Sequence, residues 1–109
     1  MLRSIKSPQR APRQIHLHVD GTGSVSIVIG SKDATLVKNA TGDYTVSMVS
    51  PFKRACVAVG SPITAGCVLE IASASASAVN VLTKANTGGA ATDCDFYLIV
   101  SGFDASDEY

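Results

Sequence analysis

The chain has 109 residues, with nine Lys+Arg against nine Asp+Glu and a formal net charge of zero. That length makes one domain with a core of modest size, and the neutral balance removes any bulk electrostatic case for nucleic acid or a membrane surface. The longest uncharged runs contain Gly, Ser and Pro and fall short of a bilayer span.

Charge is nevertheless uneven. Residues 1–14 carry Arg3, Lys6, Arg10 and Arg13 with no acid, whereas residues 93–109 carry Asp93, Asp95, Asp104, Asp107 and Glu108 with no base. Pro8 and Pro12 fix φ and push Ser7 and Ala11 out of the helical region. The first stretch therefore reads as an extended basic arm that orders on a partner. It has no aromatic residue to stack a base, so an acidic protein surface suits it better than nucleic acid. No apolar run follows Met1–Lys6, so no secretory signal is read, and the prolines interrupt the amphipathic helix of a transit peptide.

From residue 15 the hydrophobic period is two. Ile15, Leu17 and Val19 alternate with His16 and His18; Asp20-Gly21-Thr22-Gly23 is a turn signal; Val25, Ile27 and Ile29 alternate again. Residues 15–29 are thus predicted to form a hairpin. A weaker strand is expected over 34–40, a turn at Thr41-Gly42-Asp43, and a strand with Tyr44, Val46 and Met48 on one face. Pro51 ends that strand because it cannot donate to a ladder, and Phe52 is expected to plug the core at the corner. Strands follow over 55–60 and 66–72, then the small-residue alternation Ser73-Ala74-Ser75-Ala76-Ser77-Ala78. Val79, Val81 and Thr83 resume a strand, and Cys94–Gly102 is the last. Its residues Phe96, Leu98 and Val100 share one face and Tyr97 and Ile99 the other, which predicts a central strand covered on both sides. Tyr44, Val46, Met48 and Phe52 are expected to meet Phe96, Leu98 and Val100 in the core. About eight short strands separated by turn signals define an all-β, antiparallel sandwich or barrel.

Cys56, Cys67 and Cys94 form no CxxC pair, and each lies in an apolar run. The expectation is buried free thiols in a reducing compartment, with a single disulfide as the alternative. Sites for chemistry are sparse. His16 and His18 share one side of a strand, but the chain has no other histidine to complete a zinc site. No G-x-S-x-G elbow or phosphate-cradling loop is present. The reading is a protein that is not an enzyme and holds no metal or cofactor. Residues 55–83 contain one charged side chain, Glu70. Such a neutral, small-residue surface suits contact with another protein. Its closest approach is expected at Ser73, Ala74, Ser75, Ala76 and Ser77, as a dimer or trimer contact.

Gly42-Asp43-Tyr44-Thr45-Val46, then Pro51-Phe52, then Ala55–Gly60 resembles short virion proteins of tailed bacteriophages. So does the ending Gly88-Gly89-Ala90, Asp93, Asp95-Phe96-Tyr97-Leu98-Ile99-Val100-Ser101-Gly102-Phe103-Asp104. The similarity spans residues 24–104 in spacing and is closest to the head decoration (cement or staple) proteins of podovirus-type phages. That resemblance implies a jelly-roll-like β-sandwich over 15–104, flanked by an extended arm (1–14) and an acidic tail (105–109). It implies assembly in the bacterial host cytoplasm, a place on the capsid exterior, and the major capsid protein as partner. Arg3, Lys6, Arg10 and Arg13 would then lie on the lattice. A tail-fibre or receptor-binding β-domain has a similar pattern and is the alternative.

Overall fold

A computed structural model of the chain describes residues 12–104 as eight antiparallel strands in two packed sheets. The strands are β1 (Arg13–Asp20), β2 (Ser26–Ile29), β3 (Ala34–Ala40), β4 (Asp43–Met48), β5 (Val57–Pro62), β6 (Cys67–Ala74), β7 (Ala78–Ala85) and β8 (Phe96–Gly102). Sheet I has the order β2-β1-β8-β5 and sheet II the order β3-β4-β7-β6. Arg3, Lys6, Arg10 and the tail 105–109 lie outside the described residues.

The period-two pattern is the cause of this architecture. Ile15, Leu17 and Val19 of β1 and Phe96, Leu98 and Val100 of β8 point inward from sheet I. Tyr44, Val46 and Met48 of β4 and Val79, Val81 and Thr83 of β7 point inward from sheet II. Each apolar side chain of this size removed from water contributes about 1.5–3 kcal/mol before entropy is subtracted. The rings of Tyr44 and Phe96 meet across the sheets at 5.4 Å. The expected core residues, Phe52 included, are all buried.

A jelly-roll winding is not evident. Hairpins β1–β2, β3–β4 and β6–β7 each stay within one sheet, and no three consecutive strands lie side by side as in a Greek key. The cysteine expectation needs correction. Cys67 of β6 and Cys94, just before β8, form a disulfide, and only Cys56 remains a free, buried thiol. The partners are 27 residues apart in sequence, so only the tertiary fold brings them together. The inference to a reducing compartment loses its support from two of the three thiols.

Arg13 and Gln14 belong to β1, pairing with Gly102 and Ser101 of β8. Arg13 is occupied within the domain. Its guanidinium lies 4.3 Å from the centre of the Phe52 ring and donates from Nη2 to the Ser50 carbonyl at 2.7 Å. It also binds Asp104 through Nε at 3.1 Å and Nη2 at 2.9 Å. Phe52 in turn lies against Gly102, where a Cβ would come within 2.6 Å of the ring. The Pro-Phe corner is thus held between the start of β1 and the end of β8.

The Ala/Ser run is also committed locally. Ser73 and Ala74 end β6, and residues 75–77 turn the chain into β7. The carbonyls of Ser75, Ala76 and Ser77 accept the backbone N–H groups of Cys56, Phe52 and Met48. Small side chains here let the turn approach the β4–β5 crossover closely enough for those bonds to form.

Candidate functional site: the outer face of sheet I

The register of sheet I fixes what its outer face presents. Along one row lie Ile29, His18, Tyr97 and Ser61; along the next His16, Ile99 and Val59; along a third Gln14, Ser101 and Val57. No Lys, Arg, Asp or Glu stands in these rows. Four of the side chains are large and more than half exposed: Ile29 at 59%, Val57 at 67%, Val59 at 58% and Tyr97 at 51%.

Relief as well as chemistry marks the face. The His18 ring lies 5.1 Å from that of Tyr97, and His16 Nε2 is 3.3 Å from Gln14 Oε1. A depression of about 320 Å³ is lined by His16, His18, Ile29, Tyr97 and Ile99. A second, of about 190 Å³, lies on the other side of Tyr97 against Val59, Gly60, Ser61 and Ile99. Tyr97 and Ile99 form the ridge between them. The expectation that β8 is covered on both sides is met on its inner face alone, since nothing among the described residues covers Tyr97.

Sheet II presents a different outer face. Asp43 accepts from Asn80 Nδ2 at 2.8 Å and from Asn39 Nδ2 at 3.1 Å, and these donors hold its carboxyl below the usual range. Asn39 also donates to Thr45 Oγ1 at 2.8 Å, and Lys84 pairs with Glu70 at 2.7 Å. The polar side chains there satisfy one another, with Val37 and Val68 exposed among them.

One end of the sandwich is closed by a polar cluster around Asp93. Its carboxylate accepts from Lys38 Nζ at 2.6 Å and from the Gly42 N–H at 2.8 Å, and both hold its pKa below the ordinary value. Tyr44 Oη shares its proton between the Gly21 carbonyl at 2.8 Å and Asp93 at 3.2 Å. Burial, then the nearby Asp93 charge, pushes the phenol up to about 12. Gly42 has φ +66°, and a Cβ there would run into the Thr83 carbonyl, so only glycine suits this turn. The cluster fastens three loops together.

Of the residues singled out from sequence, Arg13 is engaged inside the domain, and Ser73, Ala74, Ser75, Ala76 and Ser77 form a strand end and turn on sheet II. The two groups are not brought together into a site. His16 and His18 do share the outer face of sheet I, and no group of three or more His, Cys, Asp or Glu assembles around a metal position among the described residues. The face itself was visible in sequence only as the second apolar side of β8 and the charge-free β5.

Fold and surface together define an antiparallel β-sandwich whose two outer faces differ: the polar side chains of sheet II bond to one another, whereas the apolar patch of sheet I is left uncovered by the other described residues. Comparison with protein-family models, with curated proteins and with solved structures finds no match for the chain.

Proposed function

We propose that the protein is a virion structural protein, a decoration or cement protein that docks on the exterior of a phage head and stabilises the capsid lattice. The observation that carries the reading is the patch on the outer face of sheet I centred on Tyr97 and Ile99, whose three rows carry no charge and which no other described residue covers. An exposed aromatic flanked by aliphatic side chains and free of charges has the composition of an interface core. The major capsid protein is the proposed partner. Arg3, Lys6 and Arg10 of the arm add charge pairing with acidic groups on the lattice, while Arg13 serves the fold. Attachment at many symmetry-related positions multiplies weak single contacts, and binding the assembled lattice in preference to free subunits stabilises the shell by mass action. A disulfide is compatible with a particle that persists outside the cell after assembly in the bacterial cytoplasm.

The test is the protein's location and copy number in purified virions of the phage that encodes it, by mass spectrometry and antibody-labelled electron microscopy. Many copies on the head are expected. A few copies at the tail would favour the tail-fibre reading, and absence from the particle would end both.

A further inference from the structure

The four edge strands of the sandwich differ in how they are protected against pairing with another chain. β2 has only four residues, and its pairing with β1 shifts register at His18/Val19. β3 carries Lys38 and a register shift between Lys38 and Ala40. β6 carries Glu70 and a shift between Ile71 and Ser73. Shortness, charge, proline and bulges are the devices that blunt an open edge. β5 has only a proline, Pro62, at its last position. Its six residues pair with β8 in unbroken register from Val57↔Ser101 to Pro62↔Phe96, and none is charged.

The direction of its free hydrogen-bonding groups follows from two bonds. Ile63 N–H donates to the Asp95 carbonyl at 2.7 Å, continuing the β5–β8 ladder, while Cys56 N–H points away to the Ser75 carbonyl at 3.3 Å. Groups alternate along an antiparallel strand, so Val57, Val59 and Ser61 face β8, and Ala58 and Gly60 direct their N–H and C=O groups outward. Neither finds a partner among the described residues. Pro62, which has no N–H, falls on the outward parity, where proline is tolerated at an edge.

We propose that β5 pairs antiparallel with β5 of a second copy, joining two sheets I into one eight-stranded sheet across a two-fold axis. One register uses all the free groups. With the axis at Val59, Ala58 and the partner's Gly60 exchange two hydrogen bonds, and symmetry gives two more. Val59 meets the partner's Val59 in the close, non-hydrogen-bonded type of pair, with Cα atoms about 4.5 Å apart. Val57 meets the partner's Ser61. Centring on Ala58 would oppose Gly60 to Cys56, whose N–H is already engaged, and centring on Gly60 would oppose Ala58 to Pro62, which cannot donate. The strand is self-complementary in charge because it has none, so apposition brings no like charges together. Pairing ends where Cys56 meets the partner's Pro62. The product is an isologous contact that also runs the two neutral outer faces together over the seam. It is independent of the capsid reading, and either can fail alone.

Sedimentation velocity on the full chain tests it, over about 10 µM to 1 mM, the range open to a small interface. Dimers are expected to grow with concentration. Val59→Lys places two ammonium groups at the axis and is expected to leave only monomer with an unchanged circular dichroism spectrum; Val37→Lys, on sheet II, is expected to leave the dimer intact. Under mild oxidation Val59→Cys is expected to cross-link at least ten times faster than Val57→Cys, because the two copies of residue 57 lie about 13 Å apart in this register. A monomer at 1 mM, a dimer indifferent to Val59→Lys, or equal cross-linking at the two positions would overturn the proposal.

Discussion

The two outer faces of this sandwich are built on the same alternation and end differently. On sheet II, Asp43, Asn80, Asn39 and Thr45 bond to one another, and Lys84 pairs with Glu70. On sheet I, Ile29, Val57, Val59 and Tyr97 stand in water beside two histidines, with no charge among them. A polar group satisfied by its neighbours gains little from a partner, whereas exposed apolar area gains from any surface that removes it from water. The comparison assigns stability to one face and contact to the other, and substitutions should separate the two.

The largest expected effect concerns the fold, with both faces as bystanders. Replacing Cys67 and Cys94 by serine opens a loop of 27 residues, and chain entropy puts the loss at roughly 3–4 kcal/mol of stability. Urea titration measures it, and attachment to the partner below the new midpoint should be unchanged. Next in size, Tyr97→Asp buries a charge in the contact. Binding is expected to fall about 30-fold or more, while stability falls by only about 1 kcal/mol, from the lost pair with His18 and the poorer strand propensity of Asp. Asn80→Ala on sheet II should do the reverse. It removes donors to Asp43 and to the Tyr44 carbonyl, costing about 1–2 kcal/mol of stability with no change in binding.

Near neutral pH the smallest effect is the pH dependence, which grows only towards the acid and alkaline ends. Asp93 and Asp43 have folded pKa values below the ordinary 3.8. Their stabilisation is complete above that value and is lost as pH falls through the lower folded one, so acid should weaken the fold below about pH 4. Asp93→Asn should flatten that limb of a stability profile. At the alkaline end, Tyr44 keeps its proton up to about 12 in the fold against 10.0 for the free side chain. Stability should fall between those values as unfolded chains lose the proton, and Tyr44→Phe should remove that slope.

Much of the fold was legible because burial here follows the simplest period. Alternation in Ile15–Val19, Tyr44–Met48 and Phe96–Val100 predicted strands, faces and core together. Features that depend on contacts between distant residues were not legible. Nothing local distinguishes Cys67 and Cys94 from Cys56, because their pairing depends on β6 passing the entrance to β8. Arg13 looked like the last charge of a basic arm, and only the arrival of Phe52 and Asp104 makes it part of the corner. Ser75–Ser77 reads as a contact stripe by composition; that its carbonyls also accept from the β4–β5 crossover depends on contacts the composition does not show. The candidate site falls between these cases. The sequence announced that β8 is apolar on both sides, but which side lacks a cover depends on the stacking of the sheets.

Hydroxyl-radical footprinting of the protein, free and assembled on its particle, tests the difference between the faces most directly. The account expects Tyr97, Ile99 and Val59 to lose reactivity on assembly while Val37 and Val68 of sheet II keep theirs. Protection of Val37 and Val68 with Tyr97 still reactive would contradict it.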